Sequence, residues 1–426
     1  MEVPALKCYD CSGIFTKGTI MRKKELQPND VLIDIKYAGI CHSDLHQGRA
    51  EWPIDCYYPM SPGHEIAGLV EAVGSNVSKF TVGQRVGVGC FVDSCRNCQS
   101  CTAGFEQYCN GQVASPSELF NLPNKKVNSY STYNACIGDK LAAEKGYPDS
   151  VMYGGYSKKI VVHENYTCPI PDNLDFAKAA PLLCAGITLY SPLKFYGAAE
   201  GGLKVMIIGL GGLGSMGAKI AKAMGNEVYV ASTSTNKQAY VEDTLGCKFI
   251  YTGRSVEEKA NAFKDYSQYF DLVISTVSAD MDLHPYINTV KSQCTFCMVG
   301  LPPSKLEISP FAIIARRIKI GGSLIGGIAE TIEMLNFCSD NDIACDIKLI
   351  PAKDVNIAWQ EITKNTIGAA RFVMDIGNTL DIDGDWKCEL PVDPVDHIVH
   401  KNANIHGAEK QNGKRYNHGT NSFVDP

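Results

Sequence analysis

Short runs of β-branched and apolar residues, each broken by glycine, fill the first third of the chain. "DVLIDIKYAGI" (30–40), "IAGLVEAVG" (66–74) and "GQRVGVG" (83–89) predict strands in a β-rich, barrel-like lobe. From about Cys184 the pattern changes. "KVMIIGL" is a continuous apolar strand, "SMGAKIAKAMG" a helix, and "EVYVAS", a helical stretch near 237–245, "KFIYTG", "YFDLVISTVS" and "TFCMVGL" follow. Buried strands alternating with helices predict βαβ units and a parallel sheet. Beyond about Ser323, "ETIEMLNFCSDN" and "VNIAWQEITKN" read as helices and "ARFVMDI" as a last strand. The residues from about Asn378 onward are polar with few apolar anchors. They predict a solvated, disordered tail. No internal repeat or low-complexity block interrupts this order.

Composition narrows the class. A length of 426 residues accommodates two domains with full cores. A net charge of −6 argues against a nucleic-acid surface, which needs a basic field. No apolar run is long enough for a membrane span, and "MEVPALKCYDCSG" lacks the basic and apolar regions of a signal peptide, so the expected location is cytoplasmic. The 18 cysteines are too dilute for a disulfide scaffold. Cys247, Cys294 and Cys297 lie in apolar context and read as small buried hydrophobes.

Four cysteines are different. "CRNCQSCTAGFEQYC" spaces Cys95, Cys98, Cys101 and Cys109 so that one loop offers four sulfurs to one point. Four thiolates saturate a tetrahedral zinc ion and leave no open position, so such an ion is structural. An iron–sulfur cluster uses the same ligand set and is the rival, although nothing else in the chain speaks of electron transfer.

"GLGGLG" places Gly209, Gly211 and Gly214 in a G-x-G-x-x-G pattern between a strand and a helix, the context that makes it a dinucleotide-binding turn; Gly212 and Leu213 complete it. The first glycine permits the turn, the second admits the pyrophosphate, and the third lets helix and strand pack closely. NAD sites carry an acid about 20 residues on. Here "VYVASTSTNKQAY" has none. Ser232, Thr233 and Ser234 offer hydrogen bonds and Lys237 a charge to a 2′-phosphate, so NADP(H) is expected.

"GICHSDLH" (39–46), "PGHE" (62–65) and "PLLCAGIT" (181–188) are feeble singly. A lone cysteine is more often a buried thiol, and a lone histidine a satisfied core residue. Together with "PGHEIAG", "VGQRVGVGC", "GGYSKKIVVHE", "GGSLIGG" and "RFVMD", in order, they give the chain a resemblance to the zinc-dependent medium-chain alcohol dehydrogenases, and within them to the cinnamyl alcohol dehydrogenase-like, NADP-dependent aldehyde reductases. The resemblance covers nearly all of residues 1–376. It implies an α/β architecture: a GroES-like, β-rich catalytic domain over 1–184 containing the 95–109 loop, a doubly wound Rossmann cofactor domain over 185–321, a return segment over 322–376, and the tail over 377–426.

The resemblance also implies that Cys41, His64 and Cys184 hold a catalytic zinc, with Glu65 an alternating or outer ligand. Three protein ligands leave one tetrahedral position open. Asp44 is expected to orient His64, Ser43 to contact the substrate oxygen, and His46 to act as the outer proton relay. Thr188 is expected against the nicotinamide, Ser323 near its carboxamide, and Arg371 on the cofactor phosphate, with a surface salt bridge the plainer reading of the arginine. Trp52 is a candidate pocket residue or core residue. The implied activity is interconversion of aldehydes and primary alcohols by a homodimer. Three features depart from the pattern: a long loop between Gly111 and Gly154, the tail from about Asn378 to Pro426, which has no counterpart in the family, and Ala370 where an aromatic is expected. The competing readings are an NAD-linked polyol or secondary-alcohol dehydrogenase and a non-catalytic NADP(H)-binding protein.

Overall fold

The computed structural model describes residues 1–110, 129–137, 139–302, 304–381 and 383–425. The insertion expected in the long loop falls largely on 111–128 and lies outside the described residues.

The β-rich lobe is built on a seven-stranded sheet. Its path runs Cys168–Pro169, Arg85–Val88, Ile66–Val73, Asp30–Gly39, Arg371–Asp375 and Ile347–Pro351, and Lys159–His163 also pairs with Asp30–Gly39. The long central strand alternates apolar residues toward a core in which Ile33, Ile35, Phe15, Tyr156 and Trp359 are fully buried. The strand Arg371–Asp375 closes this sheet from the far end of the chain, antiparallel to Asp30–Gly39.

The cofactor-type lobe is a six-stranded parallel sheet in the order Lys248–Tyr251, Glu227–Ser232, Lys204–Ile208, Phe270–Ser275, Val290–Met298, Lys319–Gly322. Its inner strands are apolar along their whole length because helices cover both faces. The order reverses at Lys204–Ile208, so a crevice opens beyond the carboxyl ends of that strand and Phe270–Ser275. The helix Gly212–Ala223 begins there. The stretch near 237–245 is helical but irregular, a tight turn at Thr235–Lys237 followed by a wide one at Tyr240–Thr244.

The tail is not disordered. Short strands His397–Ile398, Arg415–Asn417 and Ser422–Val424 form one small sheet, and Asn404–His406 pairs in parallel with Asp55–Tyr57 of the β-rich lobe. Val399, Ala403 and Ile405 are buried and join that lobe's core, and Tyr416 is buried within the small sheet. Val395 N donates to Gln360 Oε1 at 2.7 Å, and His397 Nε2 donates to the Cys11 carbonyl at 2.8 Å. Elements of two or three residues are too short to show alternation in sequence, and their apolar residues fasten to a distant core rather than to one another.

Among the described residues no single helix is long and apolar enough to cross a membrane. The bent pair Phe176–Leu183 and Ala185–Phe195 is apolar because it is core.

Candidate metal centres and dinucleotide cradle

Cys41 ends the central strand's excursion and opens the short helix His42–Gly48. Asp44, in the first turn of that helix, folds back and accepts from Cys41 N at 3.1 Å. The same fully buried carboxylate accepts from Gly63 N at 3.2 Å, from His64 Nδ1 at 2.9 Å and from the Tyr156 hydroxyl at 3.4 Å. With Nδ1 thus committed, His64 turns Nε2 inward, 3.3 Å from Cys184 Sγ. The Cys41 and Cys184 sulfurs are 3.9 Å apart. Ligands at about 2.3 Å for sulfur and 2.05 Å for nitrogen around a tetrahedral zinc stand roughly 3.6–3.8 Å from one another. The spacings match. Cys41, His64, Glu65 and Cys184 are all buried, with their candidate ligand atoms within 4.8 Å of one another.

Glu65 is fully buried. Its Oε1 accepts from Arg371 Nη1 at 2.6 Å, while its Oε2 has no hydrogen-bond partner. Burial pushes its carboxyl well above the usual range, against the opposing pull of Arg371. An orphaned carboxylate oxygen beside two sulfurs and an imidazole is what a divalent ion would satisfy. Gly39 makes room for it: a Cβ there would lie 2.1 Å from Glu65 Oε2. The Cys41 thiol is pulled well below its ordinary range, first by hydrogen bonding with Cys184 and then, against burial, by Arg371. Burial disfavours a charged His64, but Asp44 outweighs it and raises the ring's pKa.

Ser43 Oγ lies 3.6 Å from Cys41 Sγ and is half-buried at the open side of this cluster. His46, one turn on, pairs through Nδ1 with Glu51 Oε2 at 2.5 Å and lies between His42 and Trp52, with ring centroids at 4.8 and 5.0 Å. Trp52 is therefore on the site side, half-buried, and not core.

The second cluster is local. Sulfur–sulfur distances are 3.9 Å for Cys95–Cys101, 3.6 Å for Cys98–Cys101 and 3.9 Å for Cys98–Cys109. Backbone amides point at the sulfurs: Cys95 N at Cys109 Sγ and Cys98 N at Cys95 Sγ. Against burial, backbone and sulfur hydrogen bonds draw the Cys98 thiol down to about 6, ready to ligate as thiolate.

At the glycine turn each residue has its own reason. Gly209 has φ +92°, a conformation that L side chains rarely adopt. A Cβ on Gly214 would meet the Gly209 carbonyl at 2.0 Å, so helix and turn touch there. A Cβ on Gly211 would meet nothing within 4 Å beyond its chain neighbours, which leaves the helix N-terminus open on that side. The Arg371 side chain lies against Gly212, where a Cβ would be 2.7 Å from Cγ. Arg371 thus bridges the glycine turn and Glu65; its side chain is 10% exposed and that of Glu65 not at all, so the ion pair is not a surface one. Lys237 Nζ donates to the Leu210 carbonyl at 2.7 Å, and burial alone lowers its pKa: it is a half-buried cation facing the turn, with no carboxylate partner among the described residues. Ser232 Oγ accepts from Ser234 N at 3.2 Å at the end of its strand, and Thr233 is exposed beside it. Thr188 is buried one turn beyond Cys184, and Ser323 N donates to Met298 O at the edge of the same sheet.

Sequence reasoning missed four partners. Glu51 fixes His46, Tyr133 stacks on His64 with centroids at 5.9 Å, Tyr156 bonds Asp44, and Cys90 Sγ donates to the carbonyl of Leu183, the neighbour of Cys184, at 3.9 Å. Tyr156 and Cys90 stand inside the quoted stretches "GGYSKKIVVHE" and "VGQRVGVGC", and Glu51 and Tyr133 in none, but for all four only tertiary contact reveals the partner.

Comparison with known proteins agrees with this geometry. Residues 27–172 match the alcohol dehydrogenase GroES-like domain, and residues 212–340 match the zinc-binding dehydrogenase domain. NADP-dependent alcohol dehydrogenase C of Mycobacterium bovis is 46% identical over 376 residues, 88% of this chain and 98% of that protein. The chain belongs to the zinc-binding alcohol dehydrogenase family. Among solved members, cinnamyl alcohol dehydrogenase from Sorghum bicolor superposes with a TM-score of 0.79 at 33% identity, covering 89% of this chain and 99% of that one. The Helicobacter pylori cinnamyl alcohol dehydrogenase, a structure complexed with NADP(H), gives 0.75 at 37% identity, covering 89% and 99%. About a tenth of this alcohol dehydrogenase lies outside each match.

Proposed function

We propose that this alcohol dehydrogenase interconverts aldehydes and primary alcohols with NADP(H), reducing aromatic and aliphatic aldehydes. The observation that carries the reading is the cluster of Cys41, His64 and Cys184, set by Arg371 against an open glycine cradle. Cys41, His64 and Cys184 would hold the catalytic zinc, with Glu65 as the exchanging or outer carboxylate. Cys95, Cys98, Cys101 and Cys109 would hold a structural zinc. When bound, the catalytic ion supplies an electrophile for the substrate oxygen and the nicotinamide a hydride for its carbon.

The chain's own residues do the rest. Asp44 keeps His64 Nε2 directed at the ion. In reduction Ser43 donates a proton to the substrate oxygen and His46, held by Glu51, resupplies it from solvent; oxidation runs the relay in reverse. Gly209, Gly211, Gly212, Leu213 and Gly214 admit the diphosphate. Lys237, with Ser232, Thr233 and Ser234, receives the 2′-phosphate, while Thr188, Ser323 and Arg371 orient the remainder. Trp52 borders the substrate.

Residues 1–184 and 322–376 constitute the catalytic domain in this reading, and 185–321 the cofactor domain. Exposed Leu301, Phe311, Ile314 and Leu324 flank the edge strand Lys319–Gly322 and support a homodimer through that edge. Thiols that must stay reduced to ligate support a cytoplasmic location.

The test is a panel of aromatic and aliphatic aldehydes with NADPH and NADH, run on the native chain and on Cys41→Ser. Turnover with NADPH in the native chain and a loss of one of two zinc ions together with turnover in the variant are expected. Undiminished turnover in Cys41→Ser overturns the assignment.

A further inference from the structure

The bend at residues 51–53 carries Glu51, which pairs with His46, and Trp52, whose ring lies 5.0 Å from the His46 ring. The tail fastens this bend on both sides. His400 N donates to Ala50 O at 2.8 Å just before it, and Asn404 N donates to Ile54 O at 3.1 Å just after it. The parallel pairing of Asn404–His406 with Asp55–Tyr57 continues the grip. Tyr58 N donates to His406 O at 2.9 Å. Asn404 Nδ2 and His406 Nε2 both reach Asp55 Oδ1, at 2.5 and 3.0 Å, and the His406 ring stacks on Tyr57 with centroids 4.3 Å apart at 9°.

The bend is not a relaxed one. Ala50 is fully buried with φ +53°, a left-handed conformation that an alanine holds only where its surroundings over-determine it. Its backbone is held by Gln47 on one side and by His400 on the other. Asn134 supplies a second support for the following strand, accepting from Tyr57 N and donating to Asp55 O, both at 2.8 Å, but it makes no recorded bond to residues 50–54. The helix end holds Glu51, whose N donates to His46 O at 2.8 Å, and the tail holds the rest of the bend.

We propose that residues 397–406 are a clasp that positions Trp52 at the substrate mouth, so that the tail sets substrate preference without touching substrate. The proposal rests on the aldehyde-reductase reading for what the mouth admits. The clasp itself is independent of that reading. His400, Asn404 and His406 are positioning residues. Their loss frees Trp52 to move, which affects an aromatic aldehyde lying against the ring far more than a two-carbon aldehyde that does not reach it.

The experiment compares the native full-length chain with Asn404→Ala/His406→Ala, both loaded with zinc. In the variant, hydrogen exchange of the peptide covering residues 50–58 accelerates about tenfold or more. KM for cinnamaldehyde rises about three- to tenfold, with acetaldehyde KM and both kcat values within about twofold. Zinc content stays at two per chain. Asp55→Ala removes the shared acceptor while leaving the tail's sequence intact, and it gives the same readouts if the double variant fails to fold. Unchanged exchange in residues 50–58, or an equal KM change for both aldehydes, overturns the clasp. If the native chain reduces neither aldehyde, the functional reading fails, and the exchange comparison still decides the clasp.

Discussion

Asp44 is the residue on which the site's geometry turns, because a single buried carboxylate collects Cys41 N, Gly63 N, His64 and Tyr156. Asp44→Asn keeps the shape but removes the charge and one acceptor. Metal affinity and kcat/KM are expected to fall about 10–100-fold, measured by chelator competition and steady-state rates, with the structural ion retained. The Glu65–Arg371 pair is a different kind of dependence. Arg371→Ala leaves an uncompensated buried carboxyl and is expected to destabilise by about 3–5 kcal/mol in urea denaturation, with Arg371→Met/Glu65→Gln recovering part of that loss. The ligand residues themselves were legible in the sequence because each sits in a short stretch of fixed wording. The Arg371–Glu65 pairing was not. It joins positions 306 apart in the chain, and no local pattern records that the last strand returns to the first sheet.

Among elements, the glycine turn was the most legible, since strand, turn and helix are contiguous and each glycine answers a separate steric demand. Gly211→Val tests the cradle. Nothing surrounds its Cβ direction and φ is −106°, so the melting temperature is expected to stay within about 2 °C. NADPH affinity by fluorescence titration falls about 100-fold or more, because the branched side chain occupies the diphosphate's approach. The tail was the least legible element. Its strands run two or three residues, flanked by proline, aspartate and asparagine, a composition typical of solvated chain. Val399 and Ile405 nonetheless fill places in a core built by residues hundreds of positions earlier. Burial of each side chain contributes on the order of 1.5–3 kcal/mol, enough to overcome the ordering entropy of a short segment.

Across the whole molecule, the tail's attachment introduces acid sensitivity. His418 packs on His397 and Tyr416 and faces Arg49, with Asp396 the opposing charge; burial and the guanidinium lower its pKa to about 4. His397 is lowered well below the ordinary value for the same reasons. Once released, these rings take a proton near pH 6.5. Their contribution is therefore intact above pH 6.5 and declines as acidity carries the solution toward pH 4, since only the detached state binds the extra protons. Unfolding free energies from urea titrations at pH 7.5 and 5 are expected to differ more in the native chain than in His418→Gln, by about 1 kcal/mol once the ring's partial solvent exposure is discounted.

The two metal clusters also differ in when they can exist. Cys95, Cys98, Cys101 and Cys109 emerge from the ribosome within a moment of one another, and a nascent chain can capture its ion as soon as that loop clears the exit tunnel. Cys41 and His64 must wait for Cys184, and the guanidinium that partners Glu65 arrives later still, at position 371. Scarcity of zinc during synthesis would therefore leave a population already braced by one ion and still lacking the other.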